Sequence, residues 1–185
     1  MVHRFTASQW LPHPVPLVFA YLADPRNLPP LMPAWQKARV DEARMVAPPP
    51  APADAFRTAR MRGPYAGAGS LITISFLPLP FSPIRLSWQA AISEFEWNDH
   101  FCDVQQSGPF ASWTHRHAVK PERRGVIVGT LITDDVSYGM KMGWAGEVAH
   151  SLYMSGQVRR MFAYRQRRIA EIFDRIGDAT AHMAR

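Results

Sequence analysis

The chain has 185 residues, of which 47% are hydrophobic and 19% are charged, and it carries a formal net charge of +6 at pH 7. A chain of this length and composition is long enough to form one globular domain with a buried core and a cavity. Its only cysteine is Cys102, which excludes an intramolecular disulfide and a thiolate metal site.

Neither the charge nor the N-terminus indicates nucleic acid or a membrane as a partner. Basic residues are scattered along the chain except near 159–168, and no nucleic-acid-binding motif accompanies them. The N-terminal segment lacks the apolar core of a signal peptide, and no apolar run approaches the roughly 20 residues that span a bilayer. We therefore expect a cytoplasmic protein with no nucleic-acid partner and no integral membrane segment.

The first part of the chain predicts a strand followed by two short helices. Side chains alternate over 3–11 as they do in a strand, and prolines at 12, 14 and 16 end it. Apolar spacing over 15–23 predicts the first helix, with proline near its start. Asp24 is a candidate N-cap for a second helix over 26–32, which two consecutive prolines interrupt.

The middle of the chain predicts a loop and an antiparallel meander. Residues 47–67 are proline-rich, and we predict that they form a loop insertion with a helical turn near 54–60. Strands are predicted at 36–46, 70–76, 84–92, 101–107, 110–121 and 126–138. Short turns such as 97–100 and 122–125 join them, and a change of parity predicts a bulge near Glu94.

The C-terminal segment predicts a long amphipathic helix over 157–176. Apolar residues recur there at helical spacing, namely Val158, Met161, Phe162, Ile169, Ile172, Phe173 and Ile176. Arg165 lies inside this apolar stripe, where an arginine must extend its charge to solvent, pair with an acid or meet a ligand. Residues 139–156 predict a loop and then a helix from about 146, with or without a break at Gly156.

Together these elements predict an α+β fold in a single domain, 1–185. The predicted order is one strand, two short helices, six strands and one long helix. The inward face of the sheet and the apolar stripe of the long helix are each removed from water only by packing against the other. We therefore predict an open, curved antiparallel sheet wrapped around the C-terminal helix.

Several short motifs, taken in order, resemble a known superfamily. They are Pro14-Val15-Pro16, Val18-Phe19-Ala20-Tyr21-Leu22-Ala23-Asp24, Trp88-x-Ala90-x-Ile92, Phe101-x-Asp103-x-Gln105, Gly108-Pro109-Phe110, Trp113-x-His115-x-His117, Gly129-Thr130, Asp134-x-Val136-x-Tyr138 and Phe162-x-x-Arg165. This set resembles the SRPBCC superfamily of START domains, Bet v 1-like proteins and polyketide cyclases, in particular its uncharacterised bacterial branch. The resemblance covers most of the chain and implies the helix-grip fold. It does not specify a function, because the superfamily hosts binders, transfer proteins and enzymes.

The resemblance also implies a ligand cavity between the concave sheet and the long helix. Strand parity and the helix stripe then nominate the residues that bind the ligand, which are Trp88, Ile92, Trp113, His115, Tyr138, Met154, Phe162 and Arg165. Methionine side chains suit an adaptable apolar lining. Plain core packing is the alternative for each of these residues.

His115 and His117 lie on one face of a predicted strand. A metal site would need Asp103 or Asp134 as a third ligand, and two histidines spaced i, i+2 in a strand are a weak metal signature. We expect them to hydrogen-bond to side chains of neighbouring strands, with the two aspartates orienting the imidazoles. Pairing across the turn at 122–125 would bring them near residues 128–130. The sequence thus predicts no metal site and no cofactor.

Asp134 and Arg165 are the two charges that the pattern places among apolar residues. Either charge would be costly if buried alone, so the first interpretation is a bidentate ion pair between sheet and helix. The alternative is that Arg165 stays partly free and receives a ligand carboxylate or phosphate.

Three hypotheses for function follow from these residues. The first is a non-enzymatic protein that binds a hydrophobic small molecule or lipid in the cavity. The second is a polyketide cyclase or dehydratase-like enzyme that uses His115, His117, Asp134 and Tyr138 as acid–base groups. The third is an interaction protein that uses the basic face of the C-terminal helix for an acidic partner. We favour the first hypothesis, and the sequence leaves a homodimer open.

Overall fold

The computed structural model describes residues 1–52, 63–141 and 154–183, with side chains described up to residue 177. Seven strands are present: β1 (Val2–Leu11), β2 (Arg39–Arg44), β3 (Leu71–Phe76), β4 (Leu86–Glu96), β5 (His100–Ser107), β6 (Ser112–Arg124) and β7 (Ile127–Gly139). Two α-helices accompany them, α1 (Val15–Leu22) and α2 (Ser155–Met183). Short 3-10 helices cover Pro25–Asn27, Pro29–Leu31 and Ala34–Gln36.

The strands form one antiparallel sheet in the order β1-β7-β6-β5-β4-β3-β2. Strands β2 to β7 are therefore neighbours in both sequence and space, which confirms the predicted meander. The N-terminal strand pairs with β7 at the far edge, so the first and last strands of the chain meet. This arrangement confirms the predicted α+β fold, a curved antiparallel sheet gripping a long C-terminal helix.

The apolar stripe of α2 packs into the main core as its spacing predicts. Ile169 and Phe173 are 1% and 0% exposed, and they belong to a cluster that includes Phe19 from α1 and Ile132 from β7. A second, smaller cluster joins Val158 and Phe162 of α2 to residues of the sheet, namely Phe110, Trp113, Val136 and Tyr138. Helix and sheet thus bury each other along the described length of the apolar stripe.

The predicted second helix is replaced by separate 3-10 turns. Proline lacks a backbone donor and disfavours helical geometry in the residue before it, so Pro29 and Pro30 prevent a continuous α-helix. Asp24 caps the first turn as expected, because its Oδ1 accepts a hydrogen bond from the Arg26 backbone N–H at 3.0 Å. The segment therefore stays short and bent, and it runs beside the sheet.

The turns between strands follow the sequence signals, with one difference. The strand pairing shifts register between Ile92 and Glu94, which confirms the predicted bulge. The turn predicted over 122–125 is shorter, because β6 continues to Arg124 and β7 begins at Ile127. Gly125 adopts a positive φ of 59° there, which lets so tight a turn form.

Two predicted elements lie outside the described residues. They are the helical turn near 54–60 and the helix starting at about 146. Among the described residues, no helix is long and apolar enough to cross a membrane.

Candidate functional site

A cavity of about 160 Å³ lies between the inner face of the sheet and the two α-helices. Most of its wall is apolar, and the lining comes from α1, the 3-10 segment, the sheet and α2. It comprises Tyr21, Leu22, Ala23, Pro25, Asn27, Leu28, Leu31, Met32, Ala66, Ile72, Ile74, Trp88, Ala90, Ile92, Phe101, Asp103, Trp113, His115, His117, Met161, Phe162 and Arg165. Several lining residues of the 3-10 segment are only half-buried, so the cavity approaches the surface there.

Most residues predicted to bind a ligand lie in this lining. They are Trp88, Ile92, Trp113, His115, Phe162 and Arg165. Tyr138 and Met154 instead belong to the second apolar cluster: Tyr138 is buried in it, and Met154 packs against it. Large aromatic side chains, including Trp113 and Phe110, fill the space around Tyr138. Ligand binding by each of these residues stays a prediction.

Part of the apolar wall is an aromatic group. The Trp88 and Trp113 rings meet edge to face, with ring centroids 4.9 Å apart. Phe110 packs on both rings, at 5.7 Å from Trp88 and 4.9 Å from Trp113. Such contacts hold large flat side chains in place, so this part of the wall is preorganised.

Strand register creates a polar cluster in the same wall. Asp103 of β5 lies directly opposite His115 of β6, and His117 of β6 lies directly opposite Asp134 of β7. Residues opposite each other in an antiparallel pair share a face, with side chains close enough to interact. The expectation that the histidines face residues 128–130 is wrong, because β6 and β7 pair along their whole length around a two-residue turn.

Each imidazole of this cluster contacts both carboxylates. His115 Nε2 lies 3.0 Å from Asp134 Oδ1, and its Nδ1 lies 3.6 Å from Asp103 Oδ2. His117 Nε2 lies 3.1 Å from Asp103 Oδ2, and its Nδ1 lies 2.9 Å from Asp134 Oδ1. The two rings are 3.7 Å apart between centroids. The aspartates therefore hold the imidazoles in orientation, as the sequence predicts.

Arg165 reaches this cluster from α2, but it does not form the predicted bidentate pair. Its Nε lies 3.8 Å from Asp134 Oδ2, which is an ion pair longer than a hydrogen bond. Its Nη2 lies 3.2 Å from His117 Nδ1. The bidentate pair does not form because it needs both oxygens of Asp134, and His115 and His117 already occupy one of them. Arg165 Nε is buried and has no hydrogen-bond partner among the described residues.

The environment moves the pKa values of the two histidines in opposite directions. Burial lowers the pKa of His115, and the charge of His117 lowers it further. Burial also disfavours the charged form of His117, but hydrogen bonds to Asp103 and Asp134 outweigh this and raise its pKa. The site thus holds one imidazole with a lowered pKa beside one with a raised pKa.

Both carboxylates of the cluster stay ionised. Burial opposes ionisation of Asp103, but the hydrogen bond to His117 and the nearby positive charges outweigh it and lower the pKa. For Asp134 burial is outweighed by the charge of Arg165 and by hydrogen bonds to the histidines, and its pKa lies well below the usual range.

Asp103 is the cluster member contributed by β5. The sequence named it as a possible third metal ligand and as a partner of the imidazoles, and the strand register places it opposite His115 and in contact with both histidines. One donor atom each from Asp103, His115 and His117 lies within 4.8 Å of the other two, a spacing that a metal ion can bridge. A second such group, Glu96, Asp99 and His100, lies at a hairpin with both acids exposed.

No protein-family model matches the chain, and no curated protein matches it. Similarity is found in three dimensions, where many solved structures share the arrangement of sheet and helix.

Three examples each match nearly the whole chain. The aromatase/cyclase Zhui from a Streptomyces species matches with a TM-score of 0.63 and 9% identity over 95% of each chain. The ginseng major latex-like protein 151 from Panax ginseng matches with a TM-score of 0.56 and 10% identity, over 92% of this chain and 96% of its own. The protein Ara h 8.0201 matches with a TM-score of 0.56 and 12% identity, over 91% of this chain and 98% of its own.

At these identities the likeness concerns the fold. The shared features are the seven-stranded antiparallel sheet, the short helices after the first strand and the long C-terminal helix. The chain therefore has the helix-grip fold of Bet v 1-like proteins and polyketide aromatase/cyclases, in agreement with its resemblance to the SRPBCC superfamily.

Proposed function

We propose that this chain is a single ligand-binding domain that holds a hydrophobic small molecule, or the apolar part of a lipid, in the cavity under α2. The observation that carries the proposal is the cavity itself, an apolar space bounded by both sheet and helix. Well-packed protein interiors leave few voids larger than a water molecule, so a space of this size needs an explanation. The fold shared with Bet v 1-like proteins supports the same reading.

The size of the cavity indicates how much of a ligand it accepts. An apolar cavity of about 150 Å³ is sufficient to bind benzene. The cavity of this protein, at about 160 Å³, therefore accepts one aromatic ring or a short alkyl segment without rearrangement. A larger ligand would extend past the half-buried 3-10 segment toward the surface.

Two unsatisfied donors indicate that the ligand also carries an acceptor oxygen. Trp88 Nε1 and Arg165 Nε are buried and have no hydrogen-bond partner among the described residues, and both side chains line the cavity. A buried donor without an acceptor costs about 1–3 kcal/mol, which a carbonyl, hydroxyl or carboxylate oxygen of a ligand would recover. We therefore expect an apolar ring or chain with one polar end.

A matched pair of probes tests the proposal. Indanone and indane share one carbon skeleton, and only indanone has a carbonyl oxygen. Isothermal titration of the purified chain should detect binding of both, with indanone the tighter. Trp88→Phe should weaken indanone binding by roughly fivefold more than it weakens indane binding, because both probes lose the same ring contacts and only indanone loses a hydrogen bond.

A cavity-filling variant provides the control. Ala90→Leu adds bulk inside the lining, whereas Ala118→Leu adds the same bulk to a half-buried position of β6 outside the lining. Binding of both probes should be lost in the first variant and retained in the second. The proposal fails if the folded Ala90→Leu protein binds indane as tightly as the unchanged protein does.

A second candidate function, acid–base catalysis on a carbonyl compound, is favoured by the polar cluster. His115 and His117 line the cavity, and their pKa values are shifted in opposite directions. Paired groups of this kind are typical of acid–base sites. One of the three structural neighbours carries the name aromatase/cyclase.

Hydrogen–deuterium exchange at the carbon next to the carbonyl of indanone tests this second function. In D2O, NMR should show exchange that the protein accelerates and that His115→Gln abolishes, while far-UV circular dichroism shows a folded variant. Exchange at the uncatalysed rate in the presence of saturating unchanged protein would exclude it.

A further inference from the structure

We propose that Asp103, His115 and His117 form a binding site for one divalent first-row transition-metal ion, with Asp134 as the outer carboxylate that orients both histidines. The proposal concerns the polar wall of the cavity and does not depend on whether an organic ligand occupies it. The i, i+2 spacing of the histidines argues weakly for a metal, but the tertiary arrangement adds two observations that the spacing lacks.

The first observation is the separation of the three donor atoms. Asp103 Oδ2 lies 3.1 Å from His117 Nε2 and 3.6 Å from His115 Nδ1, and one donor atom of each residue lies within 4.8 Å of the other two. Metal–ligand distances of about 2.0–2.1 Å in tetrahedral geometry place neighbouring donor atoms about 3.3 Å apart. The three side chains therefore need only small movements to close on one ion.

The second observation is the position of Asp134. The ring nitrogens that face away from Asp103 are His115 Nε2 and His117 Nδ1, and these lie 3.0 Å and 2.9 Å from the same oxygen of Asp134. Histidine ligands almost always donate their second ring N–H to a carboxylate, a carbonyl or water, which fixes the tautomer and the ring orientation. One carboxylate here serves both histidines, so the outer nitrogens keep their donor role while a metal ion displaces the proton that His117 Nε2 shares with Asp103.

Arg165 neutralises the outer carboxylate. Its Nε lies 3.8 Å from Asp134 Oδ2, so Asp134 keeps its charge although its side chain is only 4% exposed. Metal binding keeps His117 Nδ1 as a donor to Asp134, so this nitrogen does not accept a hydrogen bond from Arg165 Nη2, which lies 3.2 Å away. The ion thus replaces a closed hydrogen-bonded cluster with a coordinated one.

The location of the three ligands would leave a coordination position of the ion open to the cavity. All three line the apolar cavity, so an ion held between them keeps at least one coordination position directed to the cavity. Two histidines and one carboxylate with an open position are typical of catalytic zinc and of non-haem iron(II). The donor set contains no thiolate, so Zn²⁺, Fe²⁺ and Co²⁺ are the class of ion expected.

Metal titration of the tag-free, full-length protein after chelator treatment tests the proposal. Co²⁺ should produce visible d–d absorption that saturates at one equivalent, and Zn²⁺ should displace it. Asp103→Asn and His115→Gln should abolish the absorption. Asp134→Asn should weaken binding by about 10- to 100-fold, the usual effect of removing an outer-sphere carboxylate.

The hairpin group Glu96, Asp99 and His100 supplies the matched control. His100→Gln removes its histidine and should leave the Co²⁺ spectrum unchanged. Far-UV circular dichroism of each variant separates lost binding from lost fold, and Asp103→Asn, a nearly isosteric change at a half-buried site, remains decisive if His115→Gln unfolds.

The proposal is overturned if the unchanged protein shows no Co²⁺ absorption, or if His100→Gln abolishes it while Asp103→Asn does not. Ala90→Leu, which fills the apolar part of the cavity, should still bind Co²⁺. A failure of the indanone experiment therefore leaves the metal experiment intact, and the reverse also holds.

Discussion

Buried charged side chains in this protein are stabilised by partners that the fold brings to them. Asp134 is an acid buried at 3% exposure, and it is tolerated because Arg165 and two imidazoles surround it. Its position among apolar strand residues was visible in the sequence, and so was the place of Arg165 in the helix stripe. The role of His117 between them was not, because parity places a residue on a face without naming its neighbours.

Removing the charge of Asp134 should be costly. Asp134→Asn leaves Arg165 buried without its acid, and we expect the free energy of unfolding to fall by about 3–5 kcal/mol. Urea denaturation followed by circular dichroism measures the change. Glu42→Gln breaks the exposed ion pair with Arg44 and should cost less than about 1 kcal/mol. Equal losses in the two variants would contradict the argument.

Cys102 should react slowly in the folded protein. Its thiol is buried, and burial raises its pKa, so little thiolate is present at neutral pH. We expect alkylation by iodoacetamide at pH 8 to be roughly tenfold slower, or more, than in urea, because the thiolate is the reacting form. Mass spectrometry of timed samples measures both rates. Comparable rates under the two conditions would show that the thiol is accessible in the native state.

The contact between β1 and β7 is too close to accept a larger side chain at one position. Gly129 of β7 lies where β1 crosses closely, and a Cβ at this position would come within 2.2 Å of Leu11 O and 2.7 Å of the Trp10 ring. The sequence marked Gly129 only as part of a motif. Its physical reason, the close approach of an edge strand, depends on the pairing of β1 with β7.

Gly129→Ala should therefore destabilise the edge of the sheet. We expect a loss of about 1–3 kcal/mol, as for other overpacked sites, with earlier amide exchange in β1. Gly156→Ala in the first turn of α2 meets nothing within 4 Å and should be neutral or slightly stabilising. Thermal unfolding compares the two variants. A neutral Gly129→Ala variant would mean that β1 is less closely held than the structure shows.

The apolar stripe of α2 carries the contact with the main core. Phe173 is fully buried and packs against Tyr21 of α1, with ring centroids 5.3 Å apart. Phe173→Ala should cost about 3–5 kcal/mol, the usual loss for a buried phenylalanine. The neighbouring Asp174 is exposed, and Asp174→Ala should change stability by less than about 0.5 kcal/mol. Chemical denaturation distinguishes the two outcomes, and similar small effects would place the helix outside the core.

The molecule as a whole is organised by its cavity, since α1, the 3-10 segment, the sheet and α2 all contribute lining. The proposed ligand would contact every layer at once. Binding should therefore stabilise the whole described fold rather than one part of it.

Indanone at a hundred times its dissociation constant should raise the free energy of unfolding by about 2.7 kcal/mol. Near-UV and far-UV circular dichroism should shift to the same new midpoint, because ring packing and secondary structure are lost together. Ala90→Leu should show no such shift. Separate midpoints for the two signals would indicate that the ligand stabilises only part of the protein.

Local patterns were sufficient for the elements and for their general arrangement. Alternation located the strands, three-and-four spacing located α2, and the complementary apolar surfaces predicted a sheet around a helix, because burial depends on patterns that each segment carries by itself. The effect of the prolines was predicted only in part. The sequence showed that Pro29 and Pro30 interrupt the second helix, but it did not predict that separate 3-10 turns replace it.

The contacts within the candidate site could be identified only from the folded chain. Asp103, His115 and Asp134 come from three strands, and their contacts depend on a register that a shift of one residue would abolish. The register between β6 and β7 is fixed by the length of the turn that joins them, which the charged residues at 122–125 did not reveal. The sequence therefore indicated which side chains carry unusual chemistry, and the strand pairing determined which of them meet.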